Sequence, residues 1–107
     1  MANNQIVTPY DDTGFASNAV KTFAHTAPLL QTVKGAPGRL LKVVVTTVTA
    51  AAAITIYDNA SAASGTILLV IPIATAAGTM YDVMLPAALG ITVQSTGATG
   101  ANTIGYA

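Results

Sequence analysis

The chain has 107 residues, of which only 7% are charged, and its four basic residues balance its four acidic ones. An ordinary soluble domain is about a quarter charged and keeps its net charge away from zero. A chain of this length forms one domain with a modest core, so much of its surface must consist of Ala, Thr, Ser and Val. We therefore expect this surface to be covered in the working state, by copies of the chain or by a larger assembly.

The basic residues are too few for a polyanionic partner. They are Lys21, Lys34, Arg39 and Lys42. Because non-specific nucleic-acid binding depends on neutralising many phosphates, we predict no nucleic-acid partner. The same count argues against a polybasic membrane-surface site. The chain has no cysteine, which excludes a disulfide framework, a thiolate metal site and a cysteine nucleophile.

Two apolar stretches, residues 40–56 and 66–77, are candidates for a membrane span. The first contains Lys42 and four threonines, and the second is short and contains Pro72. Neither approaches the roughly 20 apolar residues that a spanning helix needs. Both are rich in β-branched residues, which favour strands, so we predict no membrane span. The N-terminus lacks the basic start and apolar run of a secretory signal, and we expect no export by that route.

The composition changes near residue 34, and this change predicts two sections, 1–34 and 35–107. Residues 1–34 are mixed and turn-rich and contain both phenylalanines. They are compatible with a first strand at 5–8, with a short helix at 16–24, or with an arm that orders on a partner.

Strand-like runs separated by small-residue turns follow from residue 35 onward. These runs are 39–48, 53–57, 66–71, 80–85, 90–95 and 103–106. The run 66–71 is apolar on both faces, which predicts a central strand that ends at Pro72. In the run 90–95, alternation predicts that Ile91 and Val93 point inward. Residues 50–53 are interpreted as strand or tight connection.

Short strands with a turn about every ten residues are typical of antiparallel sandwiches and barrels. The predicted fold is therefore all-β, an antiparallel β-sandwich or barrel of jelly-roll-like form. Its core is expected in residues 35–107, preceded by an irregular N-terminal section.

Groups that could support catalysis are scarce. His25 is the only histidine, so a Ser-His-Asp triad would have to be built on it, with Asp11 or Asp12 as the orienting carboxylate. No serine lies in a Gly-x-Ser-x-Gly context. We therefore interpret His25 as a packed or surface side chain and predict no enzymatic activity.

The acidic residues and the paired glycines indicate turns. Asp58 and Asp82 each follow a tyrosine at an expected strand end, where aspartate commonly starts a turn by bonding its own backbone. Asp58-Asn59 and Asp11-Asp12 offer too few oxygens for calcium. The two glycine pairs lack the phosphate-loop pattern; they lie at positions 35 and 38 and at positions 97 and 100. We predict no catalytic, metal or cofactor site.

The second half of the chain resembles small structural proteins of tailed bacteriophages, of the head decoration or cement type. The resemblance covers residues 53–107. It is carried by ITIYDNASAASGTILLVIP and by GTMYDVMLPAALGITVQSTGATGANTIGYA. The shared features are the Tyr-Asp-Asn strand end, the Pro-Ala-Ala-x-Gly-Ile turn and strand, and a Gly-Ala-Thr-Gly loop before a terminal strand that ends on Tyr.

This resemblance implies a virion protein that is made in the host cytoplasm and that binds and stabilises the head shell. Its expected partners are the major capsid protein and further copies of itself, with a trimer favoured. Many copies in contact with a shell add avidity without a new type of contact. The N-terminal section is the expected attachment element, because it concentrates aromatic and charged residues.

Three alternatives remain open from the sequence. The chain is compatible with another virion component, such as a head fibre, tail or adaptor subunit. A carbohydrate- or receptor-binding β-module would need an exposed aromatic cluster among Tyr10, Tyr57, Tyr81 and Tyr106. A small hydrolase would have to depend on His25.

Overall fold

The computed structural model describes residues 18–50, 52–97 and 99–107. Alternating apolar and small polar residues form eight strands in this part of the chain, and no helix occurs there. The strands are β1 (Ala19–His25), β2 (Leu29–Lys34), β3 (Gly38–Ala50), β4 (Ile54–Asp58), β5 (Thr66–Ile71), β6 (Met80–Ala87), β7 (Ile91–Ser95) and β8 (Thr99–Tyr106). The described part therefore contains no helix long and apolar enough to cross a membrane.

The strands form two four-stranded antiparallel sheets. One sheet has the order β1-β8-β3-β6 and the other has the order β2-β7-β4-β5. Four of the strand pairs together form one long antiparallel hairpin, which is folded so that each pair lies in the other sheet from the pair before it. In order along this hairpin, the pairs are β1–β8, β2–β7, β3–β6 and β4–β5. The pairs β3–β8 and β4–β7 then join these hairpin segments within each sheet. This arrangement is an eight-stranded jelly roll and confirms the predicted β-sandwich.

The core is a single apolar layer between the two sheets. Both sheets contribute side chains to it, because residues two apart along a strand share a face. The buried apolar residues are Phe23, Val33, Leu40, Val43, Val45, Ile54, Ile56, Ile71, Ala87, Ile91, Val93 and Ile104. Ile91 and Val93 are fully buried, as their alternation predicts. β5 has the bounds 66–71 expected from the sequence.

The N-terminal section takes a larger part in the fold than the sequence suggests. β1 and β2 both lie before residue 35, and they pair with β8 and β7. A helix over 16–24 is therefore wrong for the described residues, where the chain is strand from Ala19. Pairing with β8 buries Phe23 in the core, and this gain outweighs any local helical preference. The strand expected at 5–8 lies outside the described residues.

Two further expectations differ from the structure. β5 is an edge strand rather than a central one, because among the described strands it pairs with β4 alone. Its outward residues Ile67 and Val70 are exposed. The apolar residues on both faces of this strand therefore form part of the core on one side and part of the protein surface on the other. Gly100 lies inside β8 rather than in a turn. A Cβ at this position would lie 3.1 Å from Nε2 of His25, so glycine makes room for the imidazole ring.

Gly90 lies at a close approach of three backbone segments. A Cβ there would lie 2.6 Å from the carbonyl oxygen of Lys34, 2.8 Å from Cα of Ala60 and 3.0 Å from the carbonyl oxygen of Asn59. Only backbone atoms surround the position, so a methyl group cannot be accommodated by a side-chain rotation. The connection from β6 to β7 therefore requires glycine at this point.

We predict that Gly90→Ala lowers the free energy of unfolding by about 1–3 kcal/mol or more, the usual cost of overpacking. Urea unfolding would measure the change. Gly35→Ala is the matched control, because the atom nearest to a Cβ there is 3.8 Å away. Its effect should be within about 0.5 kcal/mol. Equal urea midpoints for the two variants would contradict the close approach at Gly90.

Candidate functional site

His25 is a packed side chain at the end of β1. Its ring lies against that of Phe23, with the centroids 5.2 Å apart. Nδ1 donates a hydrogen bond to the carbonyl oxygen of Ala27 at 3.1 Å. Because a carbonyl can only accept, this bond places a proton on Nδ1 and leaves Nε2 of the neutral ring as an acceptor. The residues considered as orienting carboxylates, Asp11 and Asp12, lie outside the described residues.

Nε2 of His25 is buried inside the sandwich. Oγ1 of Thr49 and both amide atoms of Asn102 are also buried, and none of these atoms has a hydrogen-bond partner in the described part of the chain. Asn102 pairs with Phe23 on one side and Val45 on the other, so its amide lies among core side chains. A substrate would not reach atoms buried in this way, and the burial of Nε2 gives no support to a His25-based triad.

Asp58 forms a non-local clamp at the end of β4. Its carboxylate accepts hydrogen bonds from the backbone N–H groups of Leu89 at 2.8 Å, Ala88 at 3.0 Å and Gly90 at 3.4 Å. These donors lie about thirty positions further along the chain, so the expected local turn on Asp58 is wrong. That turn belongs to Asn59, whose Oδ1 accepts from two following backbone N–H groups.

The clamp also sets the protonation of Asp58. The backbone N–H groups of Leu89 and then Ala88 hold the pKa of the Asp58 carboxyl below its ordinary value, because they bind the charged form. The carboxylate therefore anchors the β6–β7 connection to β4. All its described partners are the chain's own amides, which indicates a structural role.

The sequence predicted Asp82 at a strand end, but in the structure it lies within β6. Its Oδ1 lies 3.3 Å from Nζ of Lys42 on the neighbouring strand β3, and both side chains are well exposed. A surface pair of this kind contributes about 0–1 kcal/mol. No group of three or more His, Cys, Asp or Glu side chains in the described residues is arranged to hold a metal ion.

The three described tyrosines do not gather on one exposed face. Tyr81 and Tyr106 pack against the core from the β1-β8-β3-β6 sheet. Tyr57 belongs to the other sheet and is half-buried. Tyr10 lies outside the described residues. The exposed aromatic cluster that a carbohydrate-binding module needs is thus not formed by the tyrosines of the described part.

The main surface feature is apolar and lies where β5 and β6, the edge strands of the two sheets, come together. Six of the ten large apolar side chains exposed in the described part belong to these strands or to their connection. They are Ile67, Val70, Ile73, Met80, Met84 and Leu85, and we call this set the β5–β6 edge surface. Exposed apolar side chains concentrated on two neighbouring edge strands make this a candidate interaction site.

Both strands of the β5–β6 edge surface carry a β-bulge. Leu68 is the extra residue of β5, between the partners of Ile56 and Tyr57. In β6 the register shifts opposite Leu40 and Lys42, and Met84 adopts a left-handed φ of 54°. Bulges bend an edge away from regular pairing and hinder the addition of another strand. These two edges therefore favour contact through their side chains over extension of a sheet.

Sequence reasoning missed the β5–β6 edge surface as a unit. Its two strands are separated by the connection through Pro72, and the sequence does not show that both are edges. The available signal was the doubly apolar run 66–71 together with Met80 and Met84. Because residues 66–71 were predicted to form a central strand, the exposed face of this strand was not predicted.

Comparison of the chain with protein-family models, with curated proteins and with solved structures gave no match.

We expect the stability conferred by the Asp58 clamp to depend on pH. The folded-state pKa of Asp58 lies below that of the unfolded chain, which is about 3.9. The clamp's contribution is therefore complete above the unfolded pKa and is lost as the pH falls through the folded value. Asp58→Asn should lower the free energy of unfolding at pH 7 and flatten its decline below pH 4. Urea unfolding between pH 2 and pH 7 measures both effects.

Asp82→Asn is the control for this prediction, since it removes an exposed carboxylate that pairs only with Lys42 among the described residues. It should change the free energy of unfolding by at most about 1 kcal/mol. If the free energy of unfolding of Asp58→Asn fell with decreasing pH in parallel with that of the unsubstituted protein, the clamp would not contribute to stability.

Proposed function

We propose that the chain is a non-enzymatic structural subunit of a bacteriophage virion, of the capsid decoration type, that binds the major capsid protein and associates as a trimer. The observation that carries this proposal is the β5–β6 edge surface on a chain with little charge. The resemblance of residues 53–107 to phage decoration proteins supplies the kind of assembly.

The energetics of such a surface favour assembly. Specific interfaces bury on the order of 800 Å² per partner, and apolar area contributes about 25 cal/mol per Å². The apolar part alone is then worth several kcal/mol before the costs of ordering. Because few charges take part, the contacts should tolerate salt.

The jelly roll supports the proposal only as architecture. This fold occurs in viral capsid proteins but also in lectins and cupins, so it does not select a function. Among these, the lectin-like alternative lacks an exposed tyrosine cluster in the described residues. Binding through packed side chains agrees better with the two bulged edges.

Light scattering on a sizing column tests the self-association. We expect a trimer mass that is the same at low and high salt, because apolar contacts are not weakened by screening. Val70→Glu combined with Met80→Glu places one charge on each edge strand at exposed positions. This variant should fold and elute as a monomer.

Leu30→Glu is the matched control, an equally apolar and exposed residue on β2, an edge strand away from β5 and β6. It should leave the trimer intact. A stable monomer of the unsubstituted chain would overturn the proposed self-association.

The place in the virion requires a second experiment. Phage particles that lack the chain should form heads that lose DNA at a lower temperature, and added purified chain should restore their resistance. Gold-labelled antibody should then mark the head surface. Labelling of a tail or fibre would instead identify another virion component, and absence from particles would refute a virion role.

A further inference from the structure

Three buried side chains carry polar atoms that have no hydrogen-bond partner in the described part of the chain. The atoms are Nε2 of His25, Oγ1 of Thr49, and both Oδ1 and Nδ2 of Asn102. Leaving such atoms unpaired in a protein interior is costly, and nearly all buried polar groups of folded proteins have a partner. These atoms therefore point to a ligand that the chain holds inside the sandwich.

The strand register brings the three side chains to one region of the inner sheet face. Gly100 of β8 lies opposite His25 of β1. On its other side the register with β3 shifts, so that Thr49 lies opposite Gly100 together with the exposed Val48. Asn102 lies two residues further along β8 and therefore shares the inward face of Gly100. Three adjacent strands thus each direct one of these side chains inward around Gly100.

The imidazole ring of His25 extends from β1 over β8. A Cβ at Gly100 would lie 3.1 Å from Nε2 and 3.8 Å from Cε1 of this ring, so the ring edge that carries Nε2 covers the glycine. Neighbouring strands are about 4.8 Å apart, so Thr49 lies one strand spacing beyond Gly100. Cδ1 of Ile54, from the other sheet, lies 3.3 Å from the same Cβ position and forms an apolar wall. The polar atoms therefore face an enclosed region between the sheets.

The hydrogen-bonding properties of these atoms fit water. Nδ1 of His25 carries the proton that is donated to Ala27, so Nε2 is an acceptor. Oδ1 of Asn102 is also an acceptor, Nδ2 is a donor, and the hydroxyl of Thr49 is both. A water molecule both donates and accepts, so it can satisfy this mixed set. A cation could not bond the N–H donor of Asn102, and none of the three side chains is a carboxylate.

We propose that His25, Thr49 and Asn102 form an internal hydration site that binds ordered water between the two sheets. The water accepts from the amide of Asn102, donates to Nε2 of His25, and bonds Oγ1 of Thr49. Buried waters typically make about three hydrogen bonds to polar groups that the chain leaves unpaired. The site links β1, β8 and β3 through their side chains, and it does not depend on the proposed virion function.

Urea unfolding of Thr49→Val tests the site, because valine resembles threonine in shape but has no hydroxyl. If Oγ1 bonds a water, its loss should raise the equilibrium constant of unfolding about two- to tenfold, the net effect of one hydrogen bond. If Oγ1 is unpaired, removing a buried hydroxyl should leave this constant unchanged or lower it. An unchanged or lowered constant would overturn the proposal.

Thr92→Val is the matched control. Thr92 is also fully buried, but its Oγ1 donates a hydrogen bond to the carbonyl oxygen of Asn59 at 2.8 Å. This variant should raise the equilibrium constant of unfolding and leave the hydration site intact. Because both substitutions exchange the same groups, the gain in apolar burial is common to the two variants.

A high-resolution crystal structure locates the water directly. The unsubstituted protein and Thr92→Val should show a water oxygen within about 2.5–3.2 Å of Nε2 of His25 and of the Asn102 amide. Asn102→Leu should lose this water, because leucine offers it no polar atom. If the unsubstituted protein showed no water there, or if the three side chains bonded directly to one another or to another part of the chain, the proposal would be wrong.

Discussion

The packing of two inner sheet faces into one apolar layer is the interaction on which the structure depends. Leu40 and Val43 from one sheet and Ile56 and Val93 from the other are fully buried in this layer. Because side chains alternate along a strand, burying this set turns every intervening residue outward. In a chain with so few charged residues, the outward set is unavoidably made of alanine, threonine, valine and methionine. The same interaction that folds the chain therefore also creates its weakly charged outer surface.

The jelly-roll connectivity then concentrates the apolar side chains of that surface. Its hairpin pairs leave β5 and β6 as edges on the same side of the sandwich. Both edges are bulged, at Leu68 and at Met84, so they are poor templates for a further strand. What remains for recognition is the side-chain surface itself. The Asp58 clamp contributes at a distance, because it holds the connection that leads out of β6 against the end of β4.

Glycine and charge have a second organising role on the outer face of the β1-β8-β3-β6 sheet. Gly105 leaves a groove across a sheet face that would otherwise be continuous, and Arg39 and Lys42 make that groove positive. The acidic residues that balance them lie in residues 1–17. An uncharged chain can therefore consist of two parts with opposite charges.

The sequence by itself determined the strands that follow residue 35 and several of their inward positions, because alternation and turn residues are local properties. Ile91 and Val93 and the bounds of β5 could be predicted in this way. Only the tertiary structure decided that β5 is an edge, that residues 19–34 belong to the sandwich, and that Asp58 binds amides about thirty positions away. Each of these outcomes depends on which distant segments pair. That choice is made by the shared burial of both sheets, which no local pattern of residues encodes.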